Sequence, residues 1–180
     1  MKFSKVLQES LVKAYRTARE RHAGQNRKFD NKPYFVHPSR VARLVSKYKG
    51  TSKNLEQLLK AAVLHDTVED TDLTLNEIRK DFGNLVASIV NELTSDVHGI
   101  KAEGKKEYLA DKMANKLSDY ALVIKLADRL DNVSDFNIAP ESFVKKYKDE
   151  TNYILDALES KRKLTQTQKN IIKEIRKKLK

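Results

Sequence analysis

No cysteine occurs in the 180-residue sequence, which excludes a disulfide scaffold, thiolate zinc sites and a cysteine nucleophile. Five Gly and three Pro are too few for a collagen-like, Gly-rich or proline-rich low-complexity chain. No stretch approaches ~18 consecutive apolar residues, the length a membrane-spanning helix needs. Met1-Lys2-Phe3-Ser4-Lys5 leads into an amphipathic segment, not into the apolar core of a signal peptide. What remains is 39% apolar and 34% charged, enough for a real but modest core. At about 100–200 residues per domain, the length fits one domain. The expectation is a soluble, cytoplasmic protein folded as a single domain over residues 1–180.

Charge is unevenly spread. Of the formal net charge of +11, residues 161–180 hold +8, from nine Lys/Arg and the single acid Glu174. Such a basic tail is the electrostatic footprint of a nucleic-acid site. It is also what a solvated helix face looks like. Ile171, Ile172, Ile175 and Leu179 recur at helical spacing, so residues 165–179 read as an amphipathic helix docked on the domain. The tail carries no aromatic residue on which a base could stack, which makes the docked helix the stronger reading.

Helical periodicity runs along most of the chain. Phe3, Val6, Leu7, Leu11, Ala14, Tyr15 and Ala18 share one face of a first helix that ends near Arg21. Residues 23–36 read as an irregular loop with a turn at Asp30-Asn31-Lys32-Pro33. His37-Pro38 opens the next helix, and Gly50 has the residue type of a left-handed helix stop. Leu55, Leu58, Leu59, Ala62 and Val63 predict a third helix. Thr74 and Glu77, then Thr165 and Gln168, have the capping-box form, and Phe82-Gly83 ends the helix that Thr74 starts. Residues 94–104 read as a loop, 105–116 and 119–131 as helical, and Pro140 starts a long helix. With no strand alternation and no internal repeat, the predicted fold is an all-α bundle of about eight to ten helices.

Chemistry concentrates in Ala61-Ala62-Val63-Leu64-His65-Asp66-Thr67-Val68-Glu69-Asp70. Read as one helix, it places His65 with Glu69 and Asp66 with Asp70 on shared faces. Three carboxylates and an imidazole this close repel one another unless a cation is present. Asp128 interrupts a second apolar helix, Leu122–Asn132, where an unpaired carboxylate is costly. His37 supplies a third element. One divalent ion held by His37, His65, Asp66 and Asp128 accounts for all three, with Mn²⁺, Fe²⁺ and Zn²⁺ open on ligand type. Glu69 and Asp70 would then stand beside the attacking water as base and orienting group. In the plainer alternative, His65 and Asp66 end a helix and Asp128 pairs with Arg129 or Lys125. His22 reads as a loop-fixing residue and His98 as solvated. Tyr108, Tyr120, Tyr147 and Tyr153 read as core or groove residues.

The His37, His65-Asp66 and Asp128 set resembles that of the HD-domain superfamily. The chain is more closely similar to the hydrolase domain of the RelA/SpoT family and its small single-domain members, including the metazoan SpoT homologues. The matching stretches are His22-Ala-Gly-Gln-Asn-Arg27-Lys28, Pro33-Tyr34-Phe-Val-His37-Pro38, Ala61 through Thr71, Phe82-Gly83 and Val123 through Asn132, within about residues 8–155. The resemblance implies a Mn²⁺-dependent hydrolase, with one ion per chain, that removes the 3′-diphosphate from guanosine tetra- or pentaphosphate (ppGpp, pppGpp). It implies His37, His65, Asp66 and Asp128 as metal ligands, and Glu69 and Asp70 as the residues that activate or orient water. Arg27, Lys28 and Asn132 would contact the nucleotide, with Lys101 and the pair Lys145-Lys146 as further phosphate contacts. The loop from Arg27 to Tyr34 departs from the commoner Ser-Gly-Glu-Pro-Tyr form and is one residue longer, which bears on base preference. Long members carry a synthetase domain that 180 residues cannot hold, so degradation alone is expected. Two other functions compete. One is a related hydrolase acting on (p)ppApp or the 2′-phosphate of NADPH. The other is a catalytically silent HD domain that binds RNA through residues 161–180.

Overall fold

The computed structural model describes residues 5–180, with side chains from Gln8 onward. Phe3 and the side chains of Val6 and Leu7, placed above on the first apolar face, lie outside the described residues. The chain folds as two compact units, one ending at Thr94 and one beginning at Ser95. Both are helical, as expected of an all-α protein. The described residues hold no strand, only an isolated antiparallel bridge between Asn26 and Pro33. No helix among them is long and apolar enough to cross a membrane.

The first unit contains α1 (Lys5–Arg21), α2 (Val36–Lys49), α3 (Leu55–Leu64), α4 (Thr67–Asp70), α5 (Leu75–Phe82) and α6 (Asn84–Leu93). Its centre is α3, which packs on α1, α2 and α6. Leu58, Ala61, Ala62, Val63 and Leu64 are fully buried there. Its buried faces leave α3 unable to stop at solvent. It stops instead because side chains take its last carbonyls: His65 Nδ1 donates to Ala62 O at 2.8 Å and Thr67 Oγ1 to Leu64 O at 2.7 Å. The single helix expected across residues 61–70 is therefore broken at His65-Asp66 into α3 and the one-turn α4. The Thr74 capping box forms as predicted, and Gly83, at φ +93°, turns the chain from α5 into α6. Gly50 corrects an expectation: at φ −55° and ψ −22° it is right-handed, and no left-handed stop exists there.

The second unit holds α7 (Val97–Glu103), α8 (Lys105–Asp111), a π-helical turn (Lys112–Lys116), α9 (Asp119–Ser134), α10 (Glu141–Lys161) and α11 (Gln166–Leu179). The predicted 94–104 loop is largely α7. Asp96 caps it by accepting from His98 N at 3.0 Å and Gly99 N at 3.2 Å, and Asp96 N donates to the Tyr108 hydroxyl at 2.8 Å. Only glycine fits at position 99, where a Cβ would meet the Tyr108 ring at 2.7 Å. The carbonyls of Met113 and Leu117, at the irregular end of α8, accept from Arg162 Nη1 at 3.2 and 2.7 Å. Pro140 precedes α10, and the Thr165–Gln168 capping box opens α11, both as predicted. Ile171, Ile172 and Ile175 seat α11, which packs on α9.

Candidate metal centre

The end of α3 sets the geometry. Because Ala62 O is an acceptor, His65 Nδ1 must carry the proton, and Nε2 of the neutral ring is a lone pair. That Nε2 faces Asp66 Oδ2 at 3.0 Å. His37, in the first turn of α2, presents its own Nε2 to the same oxygen at 3.6 Å. The two imidazoles lie edge to face with centroids 5.3 Å apart, and both are buried. A third group reaches that oxygen: the Tyr34 hydroxyl donates to Asp66 Oδ2 at 2.6 Å. The Tyr34 ring packs 4.8 Å from His22 and 5.8 Å from His37.

Behind Tyr34 lies a tied loop. Arg27 N donates to Lys32 O at 2.7 Å, Tyr34 N to Gln25 O at 2.8 Å, and Asn26 Nδ2 to Asn31 Oδ1 at 3.0 Å. Asn31 takes a left-handed conformation at φ 54° to close the turn. His22 Nδ1 meets Gln25 Oε1 at 2.8 Å, and Gln25 Nε2 donates to Asp70 O at 2.8 Å. His22 thus fixes the loop, as its sequence context suggested, and anchors it to α4. Arg27 and Lys28 stand on this loop, Arg27 half-buried and Lys28 exposed with its ammonium over the Phe29 ring.

Glu69 and Asp70 lie on α4 with access to solvent. Partial burial pushes the Asp70 carboxyl above the usual range, and the nearby carboxylates of Asp66 and Glu69 push it further.

In the second unit Asp128 is buried on α9. Its Oδ1 accepts from Asn132 Nδ2 at 2.7 Å, and its Oδ2 lies 3.1 Å from Lys125 Nζ. Of the two pairings open from sequence, the one with Lys125 forms. Arg129 turns elsewhere, to Glu150 Oε1 at 3.0 Å and Thr151 Oγ1 at 2.8 Å, with its guanidinium 4.9 Å from the Tyr147 ring. Asn132, expected on the nucleotide, is a hydrogen-bond partner of Asp128. Lys145 and Lys146 on α10, with Lys105 and Lys106 of α8, line a cleft of about 640 Å³ together with the carboxylates of Glu107, Asp149 and Glu150. Lys101 is exposed on α7, as is His98. Tyr108 is buried and Tyr153 exposed.

Sequence reasoning places Tyr34 within a motif and gives it no task. Its signal is the run Pro33-Tyr34 just before His37, which brings a hydroxyl to the start of α2. Arg129 likewise has no role of its own in the sequence reading, although a cation in so apolar a helix requires buried partners.

An all-α fold with paired buried imidazoles and an adjacent carboxylate defines a class, and the comparison with known families agrees. The HD domain family matches residues 14–164, and the chain belongs to it. Among relatives, the zebrafish (Danio rerio) guanosine-3′,5′-bis(diphosphate) 3′-pyrophosphohydrolase MESH1 is 40% identical over 128 residues, covering 71% of this chain and 69% of its own. The guanosine-3′,5′-bis(diphosphate) 3′-pyrophosphohydrolase of Aquifex aeolicus is 36% identical over 144 residues, covering 79% of this chain and 20% of its own. A solved structure of a metazoan orthologue of SpoT that hydrolyses ppGpp matches with a TM-score of 0.76 at 28% identity, over 98% of this chain and 97% of that one.

An HD domain implies a divalent metal. The residues present fit one. A lone pair on His65 Nε2 aimed at a carboxylate oxygen is repulsive unless a proton or a cation lies between them, and His37 adds a second nitrogen at the same point.

Proposed function

We propose that this chain is a cytoplasmic, Mn²⁺-dependent hydrolase that removes the 3′-diphosphate of ppGpp and pppGpp. Water adds to the phosphorus attached to the ribose 3′ oxygen, that P–O bond breaks, and the products are GDP or GTP and pyrophosphate. The observation that carries this reading is the meeting of His37 Nε2, His65 Nε2 and the Tyr34 hydroxyl on Asp66 Oδ2, in a chain of the HD family. The buried imidazoles of His37 and His65, with the carboxylates of Asp66 and Asp128, are the donors assigned to one ion per chain. When bound, that ion polarises a phosphoryl oxygen and lowers the pKa of water. Nitrogen and oxygen donors without sulfur suit Mn²⁺.

The chain's own groups do the rest. Glu69 orients and deprotonates the attacking water. Asp70, with its raised pKa, holds a proton nearer neutral pH than an ordinary carboxyl and gives it to the ribose 3′ oxygen as the P–O bond breaks. Arg27 and Lys28 receive the nucleotide from the tied loop, and Asn132 meets it while holding Asp128 in place. Lys101, Lys145 and Lys146 neutralise phosphates. Chromatography of products from ppGpp, pppGpp, ppApp and NADPH, incubated side by side with Mn²⁺, tests the assignment. Release of pyrophosphate from the two guanosine compounds is expected. Turnover of ppApp or NADPH in their place would transfer the activity to the base and phosphate selected by the 27–34 loop.

A further inference from the structure

The HD match ends at Leu164, so α11 lies beyond it, and α11 forms a cleft with the end of α10. That cleft has a volume of about 640 Å³. Its rim carries Arg162, Lys163, Lys169, Lys173 and Arg176 against one carboxylate, Glu159, while Leu164 and Ile172 form its apolar side.

The cations differ in kind. Arg162 is held by the carbonyls of Met113 and Leu117 and by Asp119 Oδ1 at 2.9 Å. Arg176 is held by Asn152 at 2.9 Å and by Glu159 at 2.7 Å and Asp156. Lys163, Lys169 and Lys173 are exposed and enter no ion pair among the described residues. Lys169 and Lys173 are one helical turn apart, about 6 Å along the axis, and face the same side. Two fixed guanidiniums and three uncommitted ammoniums thus surround one concavity.

We propose that this α10–α11 cleft is a second binding site, separate from the metal centre, for a small anion carrying at least two linked phosphates. Concavity favours a compact anion over a flat polymer surface. The buried isoleucine face of α11 leaves no apolar side to enter a lipid bilayer. The absence of aromatic residues in the tail removes the stacking that single strands need. Charge-assisted hydrogen bonds from lysine to phosphate supply the affinity.

The test uses the full chain with chelator present, so that turnover is suppressed. Inorganic pyrophosphate and, separately, GTP are titrated while the methyl resonances of Leu164 and Ile172 are followed. Saturable shifts at these methyls are expected, weakened roughly tenfold or more in the Lys163→Ala/Lys169→Ala/Lys173→Ala variant. All three lysines are exposed, so its melting temperature should match the wild type. Its metal-loaded turnover of ppGpp at physiological salt should also be unchanged, a readout that fails separately if the assigned reaction is wrong. Tighter binding of GTP than of pyrophosphate would identify the ligand as a nucleotide, and equal binding would show that the diphosphate alone is read. Shifts reproduced by sodium chloride at the same ionic strength would overturn the proposal. So would binding of a nucleic-acid duplex without binding of pyrophosphate.

Discussion

At the scale of residues, the proposed chemistry centres on the surroundings of Asp66. Glu69 and Asp70 lie beyond the proposed ligands, so Glu69→Gln and Asp70→Asn should retain Mn²⁺ yet lower kcat by about 10²–10⁴, the range of lost acid–base assistance. Metal analysis of both variants checks the division of roles, since loss of the ion from both would make these residues ligands. Asp70 carries a second expectation. A carboxyl whose folded pKa is raised contributes stability that is fully present below its unfolded pKa and is lost as pH rises through the folded value. In chelated protein at neutral pH, Asp70→Asn removes that loss, so its melting temperature should equal or exceed the wild type. The gap should close as the solution is acidified, and a gap that widens instead would contradict the assigned environment. Tyr34 acts through Asp66 and is a positioning residue. Tyr34→Phe removes one donor at 2.6 Å and should weaken metal affinity by about 10–100-fold, with kcat recovering at saturating Mn²⁺. Equilibrium dialysis against Mn²⁺ measures the first effect, and an unchanged affinity would remove Tyr34 from the metal's support.

Elements were legible where local chemistry decides them. Thr74 with Glu77 and Thr165 with Gln168 form the predicted boxes because each satisfies its own helix end. Helix α7 was missed because two of its determinants are not periodic: the Asp96 cap, and a Tyr108 hydroxyl that belongs to the next helix. The break at His65-Asp66 was missed for a related reason, since it depends on side chains turning back to Ala62 O and Leu64 O. In the candidate site, the residue types of His37, His65, Asp66 and Asp128 were readable. The Tyr34–Asp66 bond, which spans 32 positions, was not, because no local pattern announces a tertiary partner. Helix α11 gives the prediction at this scale. Ile175 is fully buried, so Ile175→Asp leaves a carboxylate among apolar groups and should cost about 3–5 kcal/mol. Thermal unfolding checks this, and an unchanged melting temperature would show that α11 is not seated by its isoleucines.

For the molecule as a whole, the residues of the proposed chemistry are spread over both units. The first holds the imidazoles of His37 and His65, the Asp66 carboxylate and the tied loop, and the second holds Asp128, Asn132 and a lysine-lined cleft. The net charge of +11 suits a substrate that is itself a polyanion. The most direct test of the central claim is the metal content of the purified chain after Mn²⁺ loading and desalting, measured on wild type, His65→Ala and Asp128→Asn, with ppGpp turnover followed on the same samples. One ion per wild-type chain, lost from both variants together with turnover, is the predicted result. Undiminished turnover in metal-free samples, or a full complement of metal in both variants, would contradict it.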